Sequence, residues 1–404
     1  MSSNFINALL LQSGYNAALV AIGATLLGIA AGSGGTFLFL RKRALVSDAV
    51  AHATLPGVGI AFMLMVAFGG DGRSLIGLLL GSAISAGIGL LIVEWISRRT
   101  RLAEDAAIGA VLSVFFGFGI VLLTIIQTMS RGKQAGLEGF LLGSTAGMLF
   151  QDAVVIAIGG ALSVLAVIML RRPMTLVAFD PEFAAASGVN VRRTDLAMMG
   201  LVMAVTVIGL KLVGLILVVA MLIIPPVTAR FWTDRTDHVI WIAGAVGGLS
   251  GYIGTALSAS APKMPTGPII VIVCFALFAL SLLLAPNRGV LAAVFRHLRF
   301  QRRVHMRQGL LALAHQEQIF DPLTIRVLRR AGLIRADSVA TAKGKALASK
   351  TLRDEKRWEV ARQIHQDDVI SGRYDGLTPI EAILTRDEIS EIDRHLGPPV
   401  PATA

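Results

Sequence analysis

Residues 41–57, RKRALVSDAVAHATLPG, set a carboxylate and an imidazole four positions apart, at Asp48 and His52. On a helix that spacing puts both side chains on one face. Carboxylate oxygen suits manganese and imidazole nitrogen suits zinc, copper or iron, so the two make a partial ligand set for a divalent transition metal. Two donors do not complete a coordination sphere. The plainer alternative pairs Asp48 with a nearby basic residue and lets His52 bond a backbone carbonyl. Just beyond, Pro56 removes a backbone donor and Gly57 loosens the turn, which predicts a kink with carbonyls facing a cavity.

The weight of that pair depends on the elements that hold it. The chain has 404 residues, 54% hydrophobic and 16% charged, with a mean hydropathy of +0.71. Such a composition excludes an ordinary soluble domain and reads as a polytopic membrane protein. Ionisable groups inside a span are costly and mark a pathway, a relay or a ligand site. One cysteine, Cys274, rules out an intrachain disulfide and the cysteine-rich metal motifs. The start of the chain lacks a basic segment and a convincing cleavage site, so residues 17–40 read as a retained span and not as a signal peptide.

Apolar runs of crossing length fall at 17–40, 44–68, 74–97, 106–128, 152–170, 238–257 and 267–285. The run 195–229 is too long for one span, and Lys211 and Gly214 near its middle predict two helices meeting at a tight turn. That gives nine crossings; a single kinked helix would give eight. Residues 137–150 are apolar but short, which predicts a re-entrant or interfacial helix. The basic clusters at 41–43, 98–101, 171–193 and 230–235 and the tail after Arg288 then fall on one side, cytoplasmic by the positive-inside rule. The N-terminus falls outside, and Asp48 lies near the cytoplasmic end of its span.

Two further segments stand out. In FDPEFAAASGVNVRR, residues 179–193, Asp180 is placed to cap a helix and Pro181 fits its first position. Glu182 meets the positive end of the dipole, and Gly188 suits the left-handed residue after the last turn. A two-turn cytoplasmic helix follows, either a plain connector or an element that transmits motion from a partner. In GLKLVGLILVVAMLIIPPVTAR, residues 209–230, Pro225 and Pro226 mark a break near the cytoplasmic end. Lys211 belongs at the turn, where its charge escapes the apolar interior.

The three segments, in this order over roughly residues 15–285, resemble the membrane permeases of zinc/manganese/iron ATP-binding-cassette importers. KRALVSDAVAHATLPG resembles that family's basic-acid-histidine-proline segment, FDPEFAAASGV its cytoplasmic loop, and VGLILVVAMLIIPPVTAR its late hydrophobic motif. The resemblance implies a permease that dimerises, as a homo- or heterodimer, takes metal from an extracytoplasmic binding protein and opens inward when cytoplasmic ATPase subunits close. It implies transport-path ligands at Asp48 and His52 and a coupling helix carrying Asp180, Pro181, Glu182 and Gly188. No cofactor is expected to be permanently bound; the metal is cargo, with manganese favoured slightly over zinc and iron. No G-x-x-x-x-G-K-[ST] occurs, so ATP hydrolysis is expected in a separate subunit.

The composition changes near residue 290. Residues 296–404 carry 19 Arg and Lys against 14 Asp and Glu and no run of spanning length, so they are expected to form a separate cytoplasmic domain. Residues 309–348, ending in GLIRADSVATAKGKAL, suggest a helical unit followed by a wing. The segments LRDEKRWEVARQIHQDD and EISEIDRHLGPP resemble the middle helices of the diphtheria toxin repressor family of metal-dependent regulators. Glu359 and Glu381 match acid positions of that pattern, but Glu355 and Ala382 stand where it usually offers histidine, so high-affinity sensing is not expected. His365 and His395 read as surface residues. Arg326, Arg329, Arg330, Lys343 and Lys345 supply positive charge, yet contact with the ATPase, a partner permease or lipid headgroups is expected before nucleic acid.

The expected fold is therefore an all-α polytopic protein of the inner (cytoplasmic) membrane with about eight or nine transmembrane helices and a C-terminal cytoplasmic winged-helix-like, mainly helical domain. Its parts are a transmembrane permease domain at 1–290 and a metal-regulator-like domain at 291–404. Two other functions remain open on the residues alone: a proton-coupled secondary metal transporter and a membrane-anchored metal-responsive regulator.

Overall fold

Hydrophobic length decides the architecture. The computed structural model describes residues 2–72, 74–129, 150–260, 264–364 and 376–396. A short helix, α1 (Ser2–Leu9), leads into α2 (Tyr15–Leu40), α3 (Leu45–Ala67), α4 (Leu75–Arg99) and α5 (Glu104–Thr128). After 150 come α6 (Phe150–Phe179), the short α7 (Pro181–Ala186), α8 (Val191–Val213), α9 (Leu215–Arg230), α10 (Thr236–Ala259) and α11 (Thr266–Leu284). Eight of these helices are long and apolar enough to cross a membrane. The expected re-entrant segment 137–150 lies, but for its last residue, outside the described residues.

The long apolar run does break where a turn was expected, at Gly214, whose φ of 75° is a left-handed conformation that side-chain-bearing residues resist. Lys211 sits in the last turn of α8. The second limb, α9, has 16 residues and is about 24 Å long, short of the roughly 30 Å hydrocarbon core. The ninth expected crossing is therefore a short helix, continuous through Pro225 and Pro226. The expected break at the two prolines does not occur, because α9 ends only at Arg230. Helix α6 also departs from expectation: it runs past Arg171, Arg172 and Pro173 to Phe179. Met174 and Val177 are fully buried beyond the proline, and Arg171 meets Asp237 of α10 at 3.3 Å.

The centre of the membrane unit is α2, packed on α6, α9 and α10. Small residues let backbones touch where burial alone does not drive association. A Cβ built on Gly28 would stand 2.2 Å from the Gly247 carbonyl oxygen, and one on Gly247 only 2.1 Å from that of Gly28. Helices α4, α5, α6 and α11 show much of their apolar surface on the outside, as helices facing lipid or a partner must. Tyr252, far along α10, hydrogen-bonds the Leu9 carbonyl, which sets α1 at the end of the bundle opposite the basic clusters.

The chain divides into two units, Met1–Val290 and Leu291–Ala404. The second holds α12 (Val290–Ala314), α13 (Pro322–Arg330), α14 (Ala342–Ile364), a 3-10 turn (Ile380–Ala382) and α15 (Arg386–Leu396). Leu310, Leu328, Leu333, Ile334 and Ala348 form one small core. Trp358, Ala361, Ile380, Leu384 and Ile392 form another. Between α13 and α14 the backbone folds back through one antiparallel bridge, Ile334 to Ala340. Among the described residues this is the extent of β structure where a wing was expected.

Candidate functional site

Asp48 and His52 occupy the first two turns of α3, and the helical spacing brings them together. His52 Nε2 lies 3.4 Å from Asp48 Oδ1, with the side chains 22% and 38% exposed. The His52 ring stands edge-on to Phe116 of α5, centroids 4.9 Å apart. Its Nδ1 is buried and makes no hydrogen bond. A buried ring nitrogen without a partner is a cost that a structural histidine normally avoids. No group of three or more metal-ligating side chains occurs among the described residues. The described residues thus present an acid and an imidazole on a partly open face, with no third ligating side chain grouped with them.

The kink chemistry of α3 is met by α4. Pro56 lies inside an unbroken helix, and Ser85 of α4 donates to the Ala53 carbonyl at 2.6 Å. That hydroxyl satisfies a carbonyl in the turn the proline disturbs. Close by, a Cβ on Gly57 would lie 2.0 Å from the Gly81 carbonyl oxygen. Backbone contact here fixes α3 against α4 and so fixes the direction of the His52 face.

Below the pair, Arg41 and Arg43 are tied into a polar network that sequence reasoning missed. Arg41 donates to the Val177 carbonyl and to Asp195 Oδ2, each at 3.0 Å. Arg43 meets Glu104 at 2.8 Å and Asp195 at 3.8 Å. Glu94 takes Arg98 at 3.0 Å and Arg192 at 3.3 Å. These contacts join the ends of α2, α4, α5, α6 and α8 around a cavity of about 50 Å³. The signal in the sequence was an acid, Asp195, set just inside an apolar run behind two arginines. Among the described residues Asp48 pairs with His52 and with no arginine or lysine, Arg41 and Arg43 being engaged elsewhere.

The segment at 179–193 folds as its residue types dictate. Asp180 Oδ1 accepts from Phe183 N at 2.9 Å, Pro181 opens α7, and Gly188 closes it at φ 83°. Val189 N bonds the Ala184 carbonyl at 2.9 Å, completing the C-terminal cap. Ala184 is buried, while Glu182 and Phe183 face outward, Phe183 59% exposed. At six residues α7 is a little short of two turns. It does not touch the Asp48–His52 pair. Its link to that region runs through α6 and α8, whose Val177 and Asp195 both hold Arg41.

Eight crossing-length helices bundled together, with a polar pair near one end, are the architecture of a multi-pass membrane protein. Residues 15–285 match the ABC 3 transport family, and the chain belongs to that family. Over 301 residues it is 44% identical to the manganese transport system membrane protein MntC of Bacillus subtilis, covering 74% of this chain and 68% of the relative. It is 37% identical to the zinc transport system membrane protein TroC of Treponema pallidum, over 74% of this chain and 97% of that one. Among solved structures, PsaBC of Streptococcus pneumoniae, in complex with Fab, aligns with a TM-score of 0.62 and 27% identity, over 74% of this chain and all of the other. The protein is the membrane permease of an ATP-binding-cassette transport system.

Proposed function

We propose that this chain lines the path of an ATP-driven divalent metal importer, with Asp48 and His52 as ligands of the metal in transit. Manganese is the favoured cargo, zinc and iron the alternatives. The observation that carries the reading is the half-finished site: an acid and an imidazole in contact, partly exposed, with a buried ring nitrogen unpartnered. A second permease subunit presenting the same face supplies further donors, and no cofactor stays bound when the metal leaves. The pair belongs to the exit side of the path, because it sits within two turns of the network around Asp195.

Energy comes from a separate cytoplasmic ATPase that engages α7, where Glu182 and Phe183 face outward. An extracytoplasmic binding protein delivers the metal from the side of α1. This puts the C-terminal unit in the cytoplasm and the whole chain in the inner, cytoplasmic membrane. The helices α13 and α14, joined by a one-bridge hairpin, support the resemblance to a repressor-type winged helix. That unit is not read as a high-affinity metal sensor, because Glu355 and Ala382 stand where the regulator pattern usually offers histidine.

The test is manganese uptake by liposomes holding the permease with its ATPase and binding protein. Asp48→Ala and His52→Ala are expected to stop uptake while ATPase assembly persists. Normal uptake in both variants removes the pair from the path. Uptake by the chain alone, driven by a proton gradient without ATP, replaces the cassette reading with a secondary transporter.

A further inference from the structure

The positive charge of the C-terminal unit is concentrated in one place. Of its excess of Arg and Lys over Asp and Glu, five arginines lie in α12 at 296, 299, 302, 303 and 307, and α12 contains no acid. The remaining residues, 308–404, hold 14 of each sign and are neutral. Charge as a general property of a soluble domain would be spread over its surface. Here it sits on the helix that begins six residues after α11 ends at Leu284.

The same helix exposes an apolar stripe. Leu291, Val294, Phe295 and Leu298 follow the i, i+3, i+4, i+7 spacing of one helix face, and Phe295 and Leu298 are 59% and 57% exposed. Arg299, Arg302 and Arg303 are exposed alongside and form no ion pair among the described residues. They also border a groove of about 530 Å³ shared with Arg307 and Lys350. Asp354 and Glu381 line the groove too, but Glu381 is engaged by Lys350 and Arg357, while Asp354 accepts from Ile380 N.

We infer that the first half of α12 lies in the surface of an anionic bilayer, with Leu291, Val294, Phe295 and Leu298 among the acyl chains and Arg299, Arg302 and Arg303 on lipid phosphates. An apolar stripe flanked by arginine is the composition of a helix that rests in the interface plane. A basic cluster directly after a membrane span meets negative headgroups at short range. Duplex DNA satisfies the arginines but gives the four apolar side chains nothing to bury against. Lipid satisfies both. The inference rests on α11 being a span and does not depend on metal transport.

Full-length protein in nanodiscs tests this, with a fluorophore on Leu298→Cys; the native thiol, Cys274, is buried. Brominated lipid should quench the fluorophore in discs of phosphatidylcholine with phosphatidylglycerol, and much less in phosphatidylcholine alone or at high salt. Replacing Arg299, Arg302 and Arg303 together by Gln should lower the bound-to-free ratio of the helix by roughly a hundredfold, and Lys at the same positions should restore most of it. Equal quenching in both lipids, no quenching in either, or no response to the triple variant overturns the inference. Shielding of the fluorophore by duplex DNA in place of lipid also overturns it, in favour of a nucleic-acid surface. Both leaflets of a nanodisc have the same composition, so the outcome is independent of sidedness, and a chain that fails to import metal still passes or fails on its own terms.

Discussion

Two polar sites lie at one end of the bundle, Asp48 coming five residues after Arg43 of the network at Asp195, and their chemistry is opposite. At Asp195 opposite charges are paired: Arg41 is 15% exposed and Asp195 10%, and together with Arg43 and Glu104 they bind helix ends far apart in sequence, although Arg41 Nε and Asp195 Oδ1 themselves make no hydrogen bond. At Asp48 and His52 there is one contact at 3.4 Å, an unpartnered ring nitrogen and an open face. Opposite charges paired between distant helix ends hold structure, whereas an acid and an imidazole that share one contact on an open face leave coordinating atoms accessible. That accessibility is what supports the proposed cargo site.

Breaking each site separately should separate the two roles. The largest effect is expected at the open site: Asp48→Ala or His52→Ala should lower reconstituted manganese uptake by more than about a hundredfold, since loss of a mere supporting partner already costs 10- to 100-fold. Thermal unfolding of these variants should stay close to that of the unaltered protein. The network should behave in reverse. Asp195→Ala takes the carboxylate from the mostly buried Arg41, leaving it the Val177 carbonyl, and should cost about 2 kcal/mol of stability, read as a lower unfolding temperature before any transport assay. A stable Asp195→Ala protein with lost uptake would erase the distinction and make Asp195 part of the path.

A smaller effect is expected at α7. Gly188→Ala forces a residue with Cβ into φ 83°, at a cost of about 1 kcal/mol. The altered cap should leave basal ATP hydrolysis by the assembled system but weaken its link to uptake, so that more ATP is spent per metal ion. Unchanged stoichiometry rejects α7 as the transmitting element. The smallest effect concerns the C-terminal unit alone. Arg357 grips Asp393 at 2.7 and 2.6 Å and holds its carboxyl below the usual carboxylate range. The native state therefore releases this proton more readily than the unfolded chain. Its stabilisation is present above the unfolded value of about 3.9 and disappears as pH falls through the native one. Asp393→Asn should flatten that part of the acid-unfolding curve followed by Trp358 fluorescence.

Much of the fold was legible because it is encoded locally. Crossing-length runs of apolar residues, the break at Gly214 and the cap residues of α7 each act through neighbours in sequence. The Asp48–His52 contact was legible for the same reason, being a single helical turn. What stayed hidden depends on distant partners. Asp195 meets Arg41 across 154 positions, and no periodicity announces it. Helix α6 outran its expected end because Arg171 finds Asp237 and because Met174 and Val177 find a core, facts that lie outside their own segment. The tail was legible as mainly helical, while its wing shrank to one bridge because only residues 331–341 separate α13 from α14.

The backbone contacts described for the bundle have a mechanical meaning. Gly28 against Gly247 and Gly57 against Gly81 are interlocked surfaces, so α2 with α10, and α3 with α4, can neither roll nor slide past one another without driving side chains into carbonyl oxygens. Any working stroke must then treat each pair as a solid block. The connection between the blocks is the short bend from Leu40 to Leu45, where Lys42 sits at φ 58°. Arg41 and Arg43 hold that bend on both sides, so a stroke that moved one block against the other would have to act on these two arginines, and Asp48 stands on the arm just beyond them.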